Sequence, residues 1–133
     1  MDATARELIR QRAGNRCEYC LLPEESDEWP FHIEHIVAKQ HGGSDNVDNL
    51  CLACSRCNLH KGRNIAGRDS DTGNLVGLFK PREHRWNDHF AFRGARIVGV
   101  TSIGRVSVRL LNMNDGRRLE LRRDLIRRGI IQT

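Results

Sequence analysis

Two pairs of cysteines constrain this 133-residue chain more than any other feature of its sequence. Cys17 and Cys20 form one C-x-x-C pair, and Cys54 and Cys57 form a second pair further along the chain. Each such turn presents two sulfur atoms, and two turns together supply the four thiolates of a tetrahedral zinc site. A redox-active C-x-x-C needs only one pair and a βαβ context, and neither fits here. The spacing therefore predicts one structural Zn²⁺ ion bound by four cysteines.

The fifth cysteine, Cys51, leaves the register of the second pair open, because Cys51 and Cys54 are also separated by two residues. We assign Cys54 and Cys57 to zinc and treat Cys51 as a small buried hydrophobe. The first dozen residues are charged and lack an apolar core, so we expect no secretory signal, no disulfide framework and a cytoplasmic location. No run of about 18 apolar residues is present, which excludes a membrane-spanning helix.

Basic residues are concentrated at the C-terminal end of the chain. The net charge of the whole chain is +5, yet residues 93–133 contain ten arginines and only three acidic residues. A basic end on a near-neutral body favours a polyanionic partner, with nucleic acid as the first candidate. The alternative is a solvated basic helix. The ten arginines are Arg93, Arg96, Arg105, Arg109, Arg117, Arg118, Arg122, Arg123, Arg127 and Arg128.

Apolar spacing and breaker residues predict an α+β chain. In the first half we expect a helix over residues 2–13 and a strand with a kink or turn near its end over residues 31–37. We also expect a second strand or an extended stretch over residues 48–52 and a helix over residues 54–61. Residues 63–77 look like irregular surface chain. Residues 95–100 fit a strand, and residues 101–112 fit either a helix or a strand. A last helix is expected to begin at Asn114 or Asp115 and to stop at Gly129.

The segment between the cysteine pairs carries a combination of short motifs. It contains His32-Ile-Glu34-His35-Ile36, then Gly42-Gly43 and Asp48-Asn49-Leu50, and the second pair continues into Asn58-Leu-His60-Lys61-Gly62. From Cys17 to about Gly62 this combination resembles the HNH endonuclease family, the ββα-metal or His-Me finger nucleases. The flanking segments also look like stand-alone bacterial HNH proteins. The resemblance implies a ββα-metal core stapled by the zinc site in residues 1–74, with an N-terminal helix. A basic extension, residues 75–133, would pack on this core.

The resemblance also implies a metal-dependent DNA endonuclease that hydrolyses phosphodiester bonds. His35 would be the general base, because a neutral imidazole can accept a proton at neutral pH. Glu34 and Asn58 would bind the catalytic divalent ion, Mg²⁺ or Mn²⁺, through oxygen atoms. Asn49 would pin the loop and orient His35 without touching metal. The family usually has Asp where this chain has Glu34.

Several basic or imidazole side chains around the motif are expected to contact phosphates, namely His32, Lys39, Arg56, His60, Lys61 and Arg63. For His32 the sequence leaves three roles open: a further metal ligand, a phosphate contact or a plain strand histidine. Two other classes of function compete with a DNA endonuclease. A non-catalytic four-cysteine zinc module that binds nucleic acid explains the zinc and the basic end but gives no reason for Glu34-His35 beside Asn58. A zinc-stapled protein-interaction domain explains neither the combination of Glu34, His35 and Asn58 nor the basic end. RNA is a less favoured substrate than DNA, and no membrane partner is expected.

Overall fold

The computed structural model describes the whole chain, residues 1–133. Its contacts divide the chain into two units. The first unit comprises Met1–Ile65 with Lys80–Glu83, and the second comprises Ala66–Phe79 with His84–Thr133. None of the helices combines the length and the apolar character needed to cross a lipid bilayer.

Helix α1 (Ala3–Arg12) opens the first unit. The carboxylate of Asp2 caps its first turn, and basic side chains lie in its last turn, where they complement the helix dipole. Ile9 is fully buried, while Arg12 donates to the carbonyl oxygen of Leu50 at 2.7 Å. Helix α1 is therefore tied to the strand that leads into the second cysteine pair.

The centre of the first unit is an antiparallel hairpin followed by a helix. Strand β1 (His32–His35) pairs with β2 (Leu50–Ala53), so that Glu34 lies opposite Cys51. Helix α2 (Ser55–Lys61) begins two residues after β2 ends. All four residues of β2 are buried, which fits its short apolar sequence. This ββα arrangement, together with the helix before it, confirms the predicted α+β fold class.

Two further hairpins and three helices make up the second unit. In chain order they are β3 (Ala66–Arg68), β4 (Leu75–Gly77), α3 (Trp86–His89), β5 (Phe90–Arg93), β6 (Arg96–Gly99), α4 (Ser102–Leu110) and α5 (Gly116–Arg127). Strand β3 pairs with β4, and β5 pairs with β6. Aromatic and aliphatic side chains form the core of this unit, among them Phe79, Phe90, Ile97, Val106, Leu111, Met113 and Leu125.

The prediction of irregular chain over residues 63–77 is wrong, because β3 and β4 form a hairpin there. Gly67 allows this hairpin to pack closely against α4, since a Cβ at Gly67 would lie 2.8 Å from a methyl carbon of Val106. The turn is held by Asp69, whose buried carboxylate pairs with Arg105 at 3.0 Å. Neither contact is visible in a local sequence window rich in turn-forming residues.

Within the predicted segment 101–112 the structure has helix α4, Ser102–Leu110, rather than the competing strand. The Thr101 hydroxyl accepts a hydrogen bond from the amide of Gly104 at 3.1 Å and caps α4. Gly104 itself lies so close to its neighbours that a Cβ would stand 1.9 Å from the carbonyl oxygen of His89. The predicted last helix is confirmed as α5, with Asp115 as its cap and Gly129 beyond its end.

Two of the ten C-terminal arginines are buried and bound to backbone carbonyl groups. Arg118 donates to Leu111 at 2.7 Å, and Arg122 donates to Ala95 at 2.8 Å and to Met113 at 2.7 Å. Their guanidinium groups satisfy carbonyl oxygens that would otherwise be buried without partners. Arg118 and Arg122 therefore stabilise the second unit and are not available to phosphates, which corrects the expectation drawn from the charge pattern.

Candidate functional site

The four predicted zinc ligands meet in the interior of the first unit. The sulfur atoms of Cys17, Cys20, Cys54 and Cys57 all lie within 4.8 Å of one another, and all four residues are buried. The sulfur atoms of Cys20 and Cys54 are 3.7 Å apart. A zinc tetrahedron with bonds of about 2.3 Å has edges of about 3.8 Å. The cluster therefore has the size and the donor set of a structural zinc site.

Local backbone structure fixes each cysteine pair. The amide of Cys20 points at the sulfur of Cys17 at 3.5 Å, and the amide of Cys57 points at the sulfur of Cys54 at 3.4 Å. The second of these contacts also caps α2. Burial raises the pKa of the Cys17 and Cys57 thiols well above the ordinary value. A bound cation reverses this cost, because coordination stabilises the thiolate form.

Cys51 is outside the cluster, as the assignment of Cys54 and Cys57 to zinc requires. It lies on β2, and its sulfur is 3.6 Å from the hydroxyl oxygen of buried Tyr19. Burial raises the pKa of this thiol. Cys51 therefore behaves as a core side chain.

Glu34 and His35 occupy successive positions of β1, and the strand turns their side chains to opposite faces. Glu34 is 7% exposed, whereas the His35 side chain is 34% exposed. The strand is regular through His35, which pairs with Leu50, and the chain bends only at the two residues that follow. No hydrogen bond or ion pair joins the two side chains.

The buried partner of Glu34 is Lys61, at the end of α2. The Lys61 ammonium lies 3.2 Å from Oε1 of Glu34 and donates to the carbonyl oxygen of His35 at 3.2 Å. Lys61 is 1% exposed, so its ammonium is not presented to a phosphate in this arrangement. Burial raises the pKa of Glu34 to about 7 although the Lys61 charge acts in the opposite direction. The pair anchors β1 to α2.

His35 meets an acidic side chain that the motif does not include. Its Nε2 atom lies 2.8 Å from Oδ1 of Asp45, and Oδ2 of the same carboxylate lies 2.9 Å from Nζ of Lys39. These two contacts lower the pKa of Asp45 below its ordinary value. The Nδ1 atom of His35 makes no hydrogen bond within the chain.

Asn49 holds together the loop that connects β1 and β2. Its Oδ1 accepts from the amide of Val37 at 3.0 Å, and its Nδ2 donates to the carbonyl oxygens of Val37 at 2.9 Å and Ser44 at 2.8 Å. Both ends of the loop segment between His35 and Asp45 are thus attached to one side chain.

Asn58 and Glu34 offer unused oxygen atoms. The side-chain amide of Asn58, in α2, makes no hydrogen bond within the chain and is partly exposed. Both carboxylate oxygens of Glu34 are buried; Oε1 is paired with the Lys61 ammonium, and Oε2 has no hydrogen-bond partner. Buried oxygen atoms without hydrogen bonds are suited to a hard divalent cation. The residues present therefore fit such an ion in donor chemistry, and a cation on Glu34 would share the carboxylate with Lys61.

The other residues expected to contact phosphates lie at or near the surface. His32 begins β1 and is exposed, as are Lys39 and Arg56. His60 is partly exposed on α2, and Arg63 donates to Gln40 at 3.0 Å. None of these side chains belongs to the cysteine cluster.

Sequence reasoning missed Asp45 and the burial of Lys61. Asp45 lies in a polar loop whose composition predicts only a turn, and the sole sequence signal was its place between Gly42-Gly43 and Asn49. The burial of Lys61 depends on the direction in which the last turn of α2 faces, which the spacing of the motif does not fix.

Comparison with protein-family models gives a match to part of the chain. The family described as HNH endonuclease matches residues 17–64, a segment that lies within the first unit. Comparison with curated proteins and with solved structures gives no match. The matched segment contains both cysteine pairs, β1, β2 and α2. Residues 17–64 are therefore similar to the HNH endonuclease family, and this segment contains a four-cysteine cluster suited to zinc.

Proposed function

We propose that the first unit is a metal-dependent endonuclease that hydrolyses phosphodiester bonds of DNA, by nicking or cutting the duplex. The observation that supports this proposal most is the exposure and the hydrogen bonding of the His35 ring within the segment that matches the HNH family. Its ring is partly exposed, it is held through Nε2 by Asp45, and its Nδ1 has no partner in the chain. A held imidazole with one open nitrogen is the arrangement that a general base needs.

In this proposal Nδ1 of His35 takes a proton from a water molecule. The water oxygen forms a bond to phosphorus, the bond between phosphorus and the 3′ oxygen breaks, and the leaving oxygen takes a proton from solvent. His35 must face solvent for this step, and its side chain is 34% exposed. Asn49 supports the step indirectly, because it fixes the loop that begins after His35.

Glu34 and Asn58 are the side chains that would hold a divalent cation, Mg²⁺ or Mn²⁺. Such an ion supplies charge relief to the phosphate in the transition state when it is bound. The supporting observations are Oε2 of Glu34, which is buried without a hydrogen-bond partner, and the Asn58 side-chain amide, which makes no hydrogen bond within the chain. Lys61 keeps the buried Glu34 carboxylate paired and in place.

Binding of DNA rests on exposed cations rather than on base contacts in this proposal. Lys39, Arg56, His60, Arg63 and His32 lie at or near the surface of the unit that contains His35. Contacts from such side chains to phosphate oxygens position a duplex without reading its sequence.

The second candidate function is a zinc module that binds nucleic acid without cleaving it. The buried four-cysteine cluster favours it, because a structural zinc site needs no catalysis to explain it. This module would bind DNA in a gel-shift assay and leave the strands intact under all metal conditions.

The experiment that separates the two candidates uses supercoiled plasmid and zinc-loaded protein. We expect conversion to nicked or linear plasmid with Mg²⁺ or Mn²⁺, no conversion after removal of weakly bound metal on a chelating resin, and recovery when Mg²⁺ or Mn²⁺ is added back. Zinc content is measured before and after the resin, so that loss of the cysteine site is not mistaken for loss of the second cation. Intact plasmid in every condition, with DNA binding retained, would establish the binding module instead.

A further inference from the structure

The carboxylate of Asp45 bridges two side chains at the edge of the candidate site. Oδ1 is 2.8 Å from Nε2 of His35, and Oδ2 is 2.9 Å from Nζ of Lys39. Asp45 is an exposed residue of the loop between β1 and β2. The contact with His35 thus joins a strand residue to a loop residue ten positions further along the chain.

The loop that carries Asp45 is held in place by specific packing. Asn49 binds the backbone of Val37 and of Ser44, the residue before Asp45. Gly43 lies so close to this backbone that a Cβ would stand 1.7 Å from the carbonyl oxygen of Val37. Gly42 has a φ of +87°, a conformation that L side chains rarely adopt. These features fix the backbone that leads into Asp45, so its approach to His35 does not depend on side-chain rotation alone.

We propose that Asp45 is a positioning residue for His35, which holds the imidazole by accepting the Nε2 proton and leaves Nδ1 as the nitrogen that accepts a proton. This role rests on the proposed endonuclease function. A carboxylate on one ring nitrogen fixes the tautomer and the orientation of the ring and stabilises the imidazolium that forms when the other nitrogen is protonated. The proton from water goes to Nδ1, and the Nε2 proton stays on the ring. Lys39 orients the carboxylate through its second oxygen.

The kinetic test compares Asp45→Ala with Asp48→Ala in single-turnover cleavage at saturating DNA. Asp48 is a second exposed carboxylate of the same loop and makes no contact with His35, so both variants remove one negative charge. We expect Asp45→Ala to lower the rate about 10- to 100-fold, the size of effect that loss of a histidine's hydrogen-bonded carboxylate has at metal sites. We expect Asp48→Ala to cleave at the wild-type rate, and both variants to bind DNA at least as tightly as the wild type. If Asp45→Ala loses zinc, Asp45→Asn, which keeps the side-chain shape, takes its place and must also lower the rate.

A spectroscopic test reports on the interaction of Asp45 with His35 without cleavage. In ¹⁵N NMR of the zinc-loaded protein at alkaline pH, His35 should carry its proton on Nε2, and Asp45→Ala should give a mixture of the two tautomers. A wild-type tautomer in Asp45→Ala, or a wild-type cleavage rate in that variant, overturns the positioning role. If either of these results is found while the wild type cleaves DNA and His35→Ala does not, only the role of Asp45 is overturned and the proposed function stands. If the wild type cleaves nothing, the proposed function fails, and a changed tautomer in Asp45→Ala would then show only a structural interaction.

Discussion

Lys61 and Glu34 have side chains that are normally solvated, yet both are buried in the first unit. The two groups pair at 3.2 Å, and removal of Lys61 leaves the buried Glu34 carboxyl group without its partner. We therefore expect Lys61→Met, which keeps the bulk of the side chain, to lower the free energy of unfolding by about 3–5 kcal/mol. Urea unfolding of the zinc-loaded protein measures this.

The matched control for Lys61 is Lys39→Met. Lys39 pairs with Asp45 in an exposed position, where solvent screens the interaction. The unfolding midpoint of Lys39→Met should therefore stay near that of the wild type. Equal loss of stability in the two variants would contradict the assignment of Lys61 as a buried structural cation.

Zinc retention distinguishes the cysteines of the cluster from Cys51. Structural zinc contributes on the order of 10 kcal/mol in small domains, which is comparable to the stability of a whole domain. Cys57→Ser should therefore give unfolded or insoluble protein, whereas Cys51→Ala should fold with one zinc ion per chain, as measured by elemental analysis. A zinc-free but folded Cys51→Ala would show that the ligand set is different.

Residues whose role follows from short spacing could be predicted from the sequence, and residues whose role follows from long-range packing could not. The C-x-x-C spacing predicts a four-cysteine site although Cys51 leaves the register of the second pair open, and the structure brings together the four cysteines assigned to zinc. Asp45 reaches His35 only because Asn49 and Gly43 shape the intervening loop. The position of Lys61 depends on which side of α2 faces β1, whereas its charge alone predicts a place at the surface.

At the level of elements, strands and helices with an apolar pattern or a cap were predictable. Helix α2 begins at the second cysteine pair and ends before Gly62, and α5 begins after Asp115, as predicted. The hairpin of β3 and β4 was missed because its strands contain three residues each and owe their pairing to packing against α4. Such short strands have little local preference of their own.

Asp69 anchors the β3–β4 hairpin, and its contribution to the stability of the protein depends on pH in a predictable way. Hydrogen bonds from Arg105 lower the pKa of Asp69 to about 2, from an ordinary value of 3.8. A carboxyl group with a lowered folded-state pKa contributes stability that is present above the unfolded pKa and lost as the pH falls through the folded pKa. We therefore expect the stabilising effect of Asp69 to be complete at neutral pH and to decline between about pH 4 and pH 2.

The variant Asp69→Asn isolates this effect in thermal melts followed by circular dichroism. It should melt well below the wild type at neutral pH, and the difference should shrink as the solution is acidified below about pH 4. Asp124→Asn is the control, because Asp124 pairs with Arg127 and Arg128 in exposed positions. This substitution should shift the melting temperature little. A difference between Asp69→Asn and the wild type that is constant with pH would contradict the ion pair.

At the scale of the whole molecule, charge composition predicted a basic C-terminal end but not which arginines are free. The side chains of Arg118 and Arg122 are hydrogen-bonded to backbone carbonyl oxygens. Those of Arg117 and Arg123 are exposed on α5 and have no partner in the chain. We expect the exposed pair to bind DNA phosphates. The double variant Arg117→Gln, Arg123→Gln should lower the slope of log affinity against log salt by about 0.9 for each phosphate that is no longer neutralised.

Fluorescence anisotropy over a series of salt concentrations measures that slope. Glu120→Gln, on the same helix, changes the charge in the opposite direction and should not lower the slope. A wild-type slope in the double variant would mean that α5 presents a solvated basic face and that the DNA-binding surface lies elsewhere.

The central claim is that His35 acts as the base of a phosphodiester hydrolysis within the segment that matches the HNH endonuclease family. The most direct measurement is the single-turnover rate of duplex cleavage by His35→Ala, with zinc content, melting temperature and DNA affinity determined on the same preparation. We expect wild-type zinc content, folding and affinity, together with a rate lowered by about 10²- to 10⁴-fold. A nuclease-free preparation of His35→Ala that cleaves DNA at the wild-type rate would contradict the account.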